Sequence, residues 1–595
     1  MLKEYRTLFR YMKPYRLWYL GGFLGLFITN GFQLLIPLFI KQSIDLISSG
    51  NFELSDILTI VLYMVAASLG VGIGRLSWRY FIGTPARRIE RSIRRDLFSH
   101  LMTLDADFYQ KNSIGDLMAR STNDMQTIRM SAGIAFVAAF DGIFLTVSIL
   151  AILFTQTPGL AAYIIIPLPF MTVLILLFGK FVGPLSRLVQ EGFSRLSDHC
   201  QETFANIRII KSFVKEDFFL KRFSTINDEY RDRNMKLIML NGFFFPAVLF
   251  LSGLTNMILL LVGGRQVILG QISFGDLVAT FSYLQLLIWP MIGAGFTVNL
   301  IQRGAVSLER IQKILSYIPV IANTFPDNTP DLEGDMIIEK LSLSRHGKNI
   351  LNNVSLRIPQ SVLIGITGAV GSGKSTLLNC LLRLVDWDEG KITMNGHDIR
   401  QVNLYWLREI FGYVPQRSFL FSASLRDNIA FGVQEISDAE LDDVIRTASL
   451  SQDFKLFPQG WDTVVGEKGV TISGGQKQRS SLARALAKKP SILLLDDPLS
   501  AVDADTEKRI LTALLKQLEG KTSIIVSHRI STLKHCNTII VMENGRVAQQ
   551  GSHTELKDTD GYYNKIFKIQ KGTADATDTA GTTGAAGTGE NNDSA

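Results

Sequence analysis

Charge is scarce in this chain: Asp, Glu, Lys and Arg make up 19% of its 595 residues, against 47% hydrophobic. With a mean hydropathy of +0.20, it is too large and too apolar for one soluble domain. Cysteine is scarcer still. Cys200, Cys380 and Cys536 stand far apart, without metal-ligand spacing, which suits reduced thiols in a cytoplasmic setting. The N-terminus is basic and then apolar, but the apolar stretch outruns a signal core and has no small-residue cleavage site, so it reads as a retained anchor. No internal repeat is visible. A net charge of +7 is compatible with nucleic acid, but the basic residues cluster beside long apolar segments, where membrane topology accounts for them. No nucleic-acid partner is expected.

What the chain has in quantity is apolar segments. Residues 1–16 set Leu2, Tyr5, Leu8, Phe9 and Met12 on one helical face with basic residues opposite, an elbow helix for the inner membrane surface. Six candidate spans come next at roughly 17–40, 57–82, 131–155, 160–182, 237–264 and 272–301, each long enough for a bilayer of ~30 Å. The loop after the second span carries Arg87, Arg88, Arg91, Arg94, Arg95, Lys111, Arg120 and Arg129, and the loop after the fourth is also basic. The other connections hold one basic residue, Arg265. Positive-inside logic puts both termini and both long loops in the cytoplasm of a cell (plasma or inner) membrane. Helical spacing at Ile89, Ile93, Leu97 and Leu101, and at Leu185, Leu188, Phe193 and Leu196, predicts helices that run on beyond the bilayer.

Asp141 lies inside the third span, where an acid costs roughly 2.5–3.5 kcal/mol on insertion scales. It either pairs with Arg75 or Arg79 or meets cationic cargo. Phe243, Phe244, Phe245, Phe250, Phe281, Tyr283, Trp289 and Phe296 gather in the last two spans, lining a cavity or facing lipid and neighbouring helices. The expected domains are the elbow, 17–318 in the membrane, a proline- and asparagine-rich linker at 319–334, a further domain at 335–571 and a low-complexity, disordered tail at 572–595.

The domain at 335–571 is built around GAVGSGKST, Gly368–Thr376, between a strand-like run and a helical pattern, the context a phosphate-binding loop requires. Gly368, Gly371 and Gly373 let backbone N–H groups turn inward toward phosphate, Lys374 reaches the β- and γ-phosphates, and Ser375 is a Mg²⁺ ligand. SILLLDDPLS (491–500) reads as a buried parallel strand ending in Asp496, an acid placed to hold the metal. TISGGQKQR (471–479), Gln416, His528 and the SAVD of 500–503 complete the set. In this order they resemble the nucleotide-binding domain of the ATP-binding cassette (ABC) family, over roughly 335–570.

The resemblance implies an all-α membrane domain of six transmembrane helices with long cytoplasmic extensions, then an α/β P-loop domain. It implies ATP and Mg²⁺ as cofactors, with Gly368, Gly371, Ser372, Gly373, Lys374, Ser375 and Thr376 on the nucleotide and Ser375, Gln416 and Asp496 on the metal. Asp497, His528 and Gln416 are implied as the catalytic set. Ser473, Gly474, Gly475 and Gln476 of ISGGQ are implied to close over the ATP of a second chain, with Ile472 where the family usually has Leu. Asp503 is implied to link the two sites, and Glu467 matches a segment touching the partner. KNSIGDLMAR (111–120) and ETFANIRIIKSF (202–213) resemble the coupling helices of ABC exporters.

Two positions depart from the family. Asp497 stands where a Glu polarises the attacking water; one methylene shorter, it either marks a degenerate site or works through a water or a backbone shift. Arg345, with His346 beside it, falls where an aromatic residue stacks on adenine; it stacks in its place or makes no contact. The reading is ATP-driven export of amphiphilic or hydrophobic, multidrug-type compounds by one half of a dimer, with a different half-transporter carrying the Glu as partner. The alternatives are a homodimer exporting one dedicated lipid or peptide, and a membrane-anchored regulatory ATPase that transports nothing.

Overall fold

The structure is a computed structural model describing residues 2–50, 52–345, 347–466, 472–500 and 502–571. His346, Glu467, the tail from 572 and the Trp289 side chain lie outside the described residues. The chain divides into two compact units, one of Met1–Met102 with Ser113–Tyr317, the other of Thr103–Asn112 with Ile318 onward.

The first unit is helical throughout. Its main helices are Arg16–Ser49, Leu54–Leu101, Ile134–Gln156, Pro167–Ala205, Glu216–Ile258 and Phe274–Leu315. At 48 residues, Leu54–Leu101 is about 72 Å long, more than twice a bilayer core of ~30 Å, so it continues well past any span. Among the described residues, four helical stretches are long and apolar enough to cross a membrane, and Pro158–Met171 and Phe274–Ile288 are shorter apolar stretches. The expected fourth span is broken: helix Pro158–Ile164 ends before Pro167 starts the next, because proline suits a first turn and not an interior. The fifth loosens into a π-helix at Leu259–Gly263.

The first two long helices touch through small residues. A Cβ on Gly25 would lie 2.9 Å from the Trp78 backbone nitrogen, and one on Gly74 would lie 2.9 Å from that of Thr29. The N-terminal helix, Leu2–Met12, also packs on protein. Tyr5 and Leu8 are buried in the unit, and the Tyr5 hydroxyl bonds Ser131 and, at 3.0 Å, the Ile301 carbonyl. Its apolar face therefore packs partly on protein, while Phe9 stays exposed.

In the second unit a six-stranded sheet runs, in spatial order, Arg546–Gly551, Thr538–Glu543, Leu363–Gly368, Thr522–Val526, Ile492–Asp496, Phe411–Val414. All neighbours are parallel except the edge hairpin. Side-chain alternation sends Leu493 and Leu495 into one core and Ile492 and Leu494 into the other, so the strand is apolar on both faces. A second, four-stranded sheet carries Met336–Arg345 and Lys348–Ile358.

The composition-based linker is not a free tether. Leu332 is buried, Trp406 Nε1 donates to the Pro330 carbonyl at 2.9 Å, and the Leu404 N–H donates to Asn323 Oδ1 at 2.9 Å. The segment grouped with this unit from the first long loop is Thr103–Asn112, whose Asp105 accepts from the Val320 N–H at 2.8 Å. The stretch 111–120 runs from the end of helix Ala106–Lys111 through helix Ile114–Ala119.

Candidate nucleotide site

Strand register gathers the site. Val526 pairs with both Ile366 and Asp496, and Val414 with Leu495, so the C-terminal ends of four parallel strands finish level. Just past these ends stand the glycine loop, Gln416, Asp497 and His528, one expected functional element to each strand. Open α/β sheets place ligands at this edge. A cavity of about 370 Å³ lies there, lined by Lys374, Ser375, Gln416, Asp496, Asp497 and His528 together with loop residues 370–373 and Thr376.

The loop needs its glycines for shape. Gly371 and Gly373 have φ of 81° and 96°, and a Cβ on Gly373 would lie 2.8 Å from the Ile350 carbonyl. Gly373 then caps helix Lys374–Leu381, aiming free N–H groups at the cavity. Lys374 is 7% exposed, and its Nζ donates to the Gly368 and Ala369 carbonyls, both at 2.8 Å. Burial pushes this ammonium below its ordinary value, against the pull of Asp496 and Asp497. Burial raises both carboxyls; the Ser375 hydroxyl opposes this at Asp496, and His528 and Arg529 oppose it at Asp497. His528 is lowered, by burial and then by Lys374, which favours the neutral imidazole.

The residues present fit a magnesium nucleotide. A serine hydroxyl and a buried carboxylate, with an amide side chain beside them, offer hard oxygen ligands. Mg²⁺ takes one or two carboxylates and leaves its other positions to phosphate and water.

Asp497 has a φ of 51°, a left-handed conformation costing a non-glycine residue about 1–3 kcal/mol. Its N–H donates to the Val526 carbonyl at 3.0 Å. Its carbonyl accepts from Gln478 Nε2 at 3.4 Å and from Ser500 through the hydroxyl at 3.2 Å and the N–H at 3.4 Å.

Ser473–Gln476 do not line this cavity. Ser473 caps helix Gly474–Ala487 reciprocally: its hydroxyl accepts from the Gln476 N–H at 3.2 Å, and its N–H donates to Gln476 Oε1 at 2.9 Å. Ile472 is buried in the core. Asp503 caps the helix Ala504–Leu518 by accepting from the Thr506 N–H at 2.9 Å, which holds its carboxyl below the usual range. Arg345 ends its strand and donates to the Ser344 carbonyl at 3.3 Å and the Asp386 carbonyl at 3.2 Å. It lines a cavity of about 290 Å³ that shares Ile350 and Thr376 with the first.

Sequence reasoning missed the supports. Asp453 joins Gln476 Nε2 at 2.9 Å and Arg479 at 2.7 Å, from twenty residues upstream of the turn. Glu507 pairs with Arg529, which also donates to the Ser500 and Val502 carbonyls at 3.3 Å. The burial of Glu507 is a property of the fold, so no sequence signal marked it.

In the membrane unit, the expected aromatic group splits. Tyr283 is buried with its hydroxyl on the Leu34 carbonyl, and Phe244 stacks on Phe178 at 3.9 Å, so both pack between helices. Phe243, Phe245 and Phe250 are exposed. Arg75 is the cation whose charge acts on Asp141.

A long-helix membrane unit joined to a P-loop sheet defines a membrane transport ATPase. Residues 19–291 match the ABC transporter transmembrane region, and residues 351–500 match the ABC transporter ATP-binding region. The probable multidrug resistance ABC transporter ATP-binding/permease protein YheI of Bacillus subtilis is 35% identical, with 94% of this chain and 96% of the relative covered. The multidrug resistance-like ATP-binding protein MdlA of Escherichia coli is 34% identical over 93% and 94%. A solved bacterial Atm1-family ABC exporter with ATP bound superimposes with a TM-score of 0.75 at 26% identity, covering 93% of this chain and 98% of that one. The chain belongs to the ABC transporter family: it is a membrane-embedded, ATP-hydrolysing exporter with its transmembrane and ATP-binding regions fused.

Proposed function

We propose that this chain is one half of a dimeric pump for amphiphilic or hydrophobic compounds, and that its partner is a different half-transporter. In this reading its own glycine loop holds ATP with little hydrolysis, and its signature turn completes the partner's competent site. The observation that carries it is Asp497. The side chain is one methylene shorter than Glu, so its carboxylate falls more than ~1 Å short of the attacking water, a displacement worth on the order of 100-fold in rate. A backbone shift would make up the distance only by breaking the hydrogen bonds that hold the Asp497 peptide groups to Val526, Gln478 and Ser500.

The remaining roles run along the cavity. Lys374 and the N–H groups of Gly371–Thr376 bind phosphate, with Gly368 turning the chain into the loop and Ser372 bracing Lys374. Ser375, Gln416 and Asp496 hold Mg²⁺, which when bound neutralises charge on the β- and γ-phosphate oxygens. Neutral His528 faces the γ-phosphate, and Arg345 sits at the base end. Ser473, Gly474, Gly475 and Gln476 present helix N-terminal donors to the partner's ATP. The basic loops support a cytoplasmic location for both termini and the nucleotide unit. Multidrug cargo is supported by the names of the relatives, and Asp141 meets cationic cargo or pairs with Arg75.

The test is phosphate release. The purified chain alone is expected to bind Mg·ATP and hydrolyse it very slowly, and the proper partner is expected to restore turnover. Robust hydrolysis by the chain alone, lost in Asp497→Ala, overturns the reading in favour of a homodimer in which Asp497 is a working base.

A further inference from the structure

The loop that carries His528 is held on two sides, and only one side belongs to the site already described. On that side Arg529 reaches the Ser500 and Val502 carbonyls and pairs with Glu507. On the other stands Gln570, 42 residues further along the chain, in the last turn of a helix over 562–571. Its Nε2 donates to the His528 carbonyl at 2.8 Å, and its Oε1 accepts from the Ile530 N–H at 2.9 Å. One side-chain amide thus grips the backbone at both ends of the Arg529 residue, as a neighbouring strand would.

The grip has a fixed base. Tyr563, in the same helix, is fully buried, and its hydroxyl meets His553 Nδ1 at 2.7 Å. The His553 ring also lies edge-on to Phe567, with centroids 5.6 Å apart. Because a side chain leaves Cα in a direction set by its backbone, fixing the peptide after His528 fixes how the imidazole meets the cavity that Lys374 also lines.

We propose that Gln570 is a positioning residue for nucleotide recognition, acting from the C-terminal helix to hold His528 against the γ-phosphate. This rests on the proposed role of His528 at that phosphate. It applies whether or not the site hydrolyses, because an ATP held without turnover still needs its γ-phosphate recognised. ADP lacks that phosphate and does not sense the contact.

The purified full-length chain in lipid nanodiscs is titrated with Mg·ATP and Mg·ADP by displacement of a fluorescent ADP analogue. Gln570→Ala is expected to reduce the ATP-over-ADP affinity ratio by about fivefold, the scale of one or two hydrogen bonds acting through a third group. ADP affinity is expected to stay within about twofold. Gln570→Glu keeps the acceptor for Ile530 and loses the donor for His528, so it is expected to fall between, and it carries the test if the alanine variant does not fold. His528→Ala is expected to lower the ratio at least as far, and adding Gln570→Ala to it to lower it no further. An unchanged ratio in both Gln570 variants, beside a reduced one in His528→Ala, overturns the proposal alone. Equal losses of ATP and ADP affinity make Gln570 structural only and also overturn it. An unchanged ratio in His528→Ala overturns the site reading, and the proposal with it.

Discussion

Gly373 in the nucleotide unit and Gly74 in the membrane unit both stand where a Cβ would collide, at 2.8 Å from the Ile350 carbonyl and 2.9 Å from the Thr29 nitrogen. Their reasons differ. Gly373 has a φ of 96° at the start of a helix whose N–H groups must face a ligand, so both its backbone shape and its neighbours are prescribed. Gly74 is an ordinary helical residue, and only the closeness of the next helix excludes a larger one. Chemistry at a phosphate prescribes particular atoms, whereas packing between membrane helices prescribes a volume, which many sequences can supply. The first leaves a motif; the second leaves a pattern of small and apolar residues without cargo information.

The largest expected effect tests the asymmetry within the nucleotide unit. Ser473→Ala with Gly475→Asp is expected to abolish ATPase activity of the partnered assembly, because those residues close over the partner's ATP. Asp497→Ala is expected to leave that activity within about twofold, since the shortened acid contributes little chemistry. Phosphate release from the reconstituted pair measures both, and a reversed order breaks the comparison between the two sites.

Next in size is Lys374→Ala. Removing a buried ammonium from the phosphate end is expected to lower ATP affinity at this chain's own loop by about 30-fold, from charged hydrogen bonds worth roughly 1.5–3 kcal/mol. Isothermal titration of the purified chain reads it. Unchanged affinity would mean that Lys374 serves only the Gly368 and Ala369 carbonyls it now holds.

Legibility in the sequence divides along the same line. The glycine loop, the buried strand ending at Asp496 and the lengths of the membrane helices were readable, because spacing, apolar runs and loop charge each have a direct physical cause. Asp453, Glu507 and Gln570 were not, since each acts on residues at least twenty positions away that only the fold brings near. The N-terminal helix was read from its amphipathic face as lying on the membrane surface; that Tyr5 and Leu8 also pack on protein was not legible, because such a face is equally apolar against lipid or protein. The linker was read from its proline and asparagine; that Asn323 and Asn328 bond the nucleotide unit was not legible, since their partners lie far along the chain. The break in the fourth span is visible in hindsight at Pro167.

A smaller effect sharpens the contrast between glycines. Gly74→Ala is expected to destabilise the protein by about 1–3 kcal/mol through overpacking. Gly83→Ala, in the same helix but with nothing within 4 Å of its new Cβ, is expected to be neutral or to stabilise by roughly 0.5–1 kcal/mol. Thermal unfolding in detergent compares them, and equal shifts would mean that the helices do not approach as closely as Gly74 requires.

The smallest expected effect lies at Arg345. Its guanidinium is committed to the Ser344 and Asp386 carbonyls, yet it borders the cavity that continues from the phosphate site past Ile350 and Thr376. Hydrogen bonds to backbone hold the group in place but give it no means of telling one base from another, and a stacked cation accepts either purine. Arg345→Tyr would put a ring of matching shape at that border, worth about 0.5–1.5 kcal/mol where rings stack. It is expected to raise affinity for ATP by about threefold, and to change ATP preference over GTP by less than that, because stacking is tolerant of base identity. Competitive displacement by the two nucleotides, before and after the substitution, separates these outcomes. A gain for both purines places the base beside residue 345. No gain for either leaves Arg345 a structural tie between two loops, and the base must then lie elsewhere along the cavity.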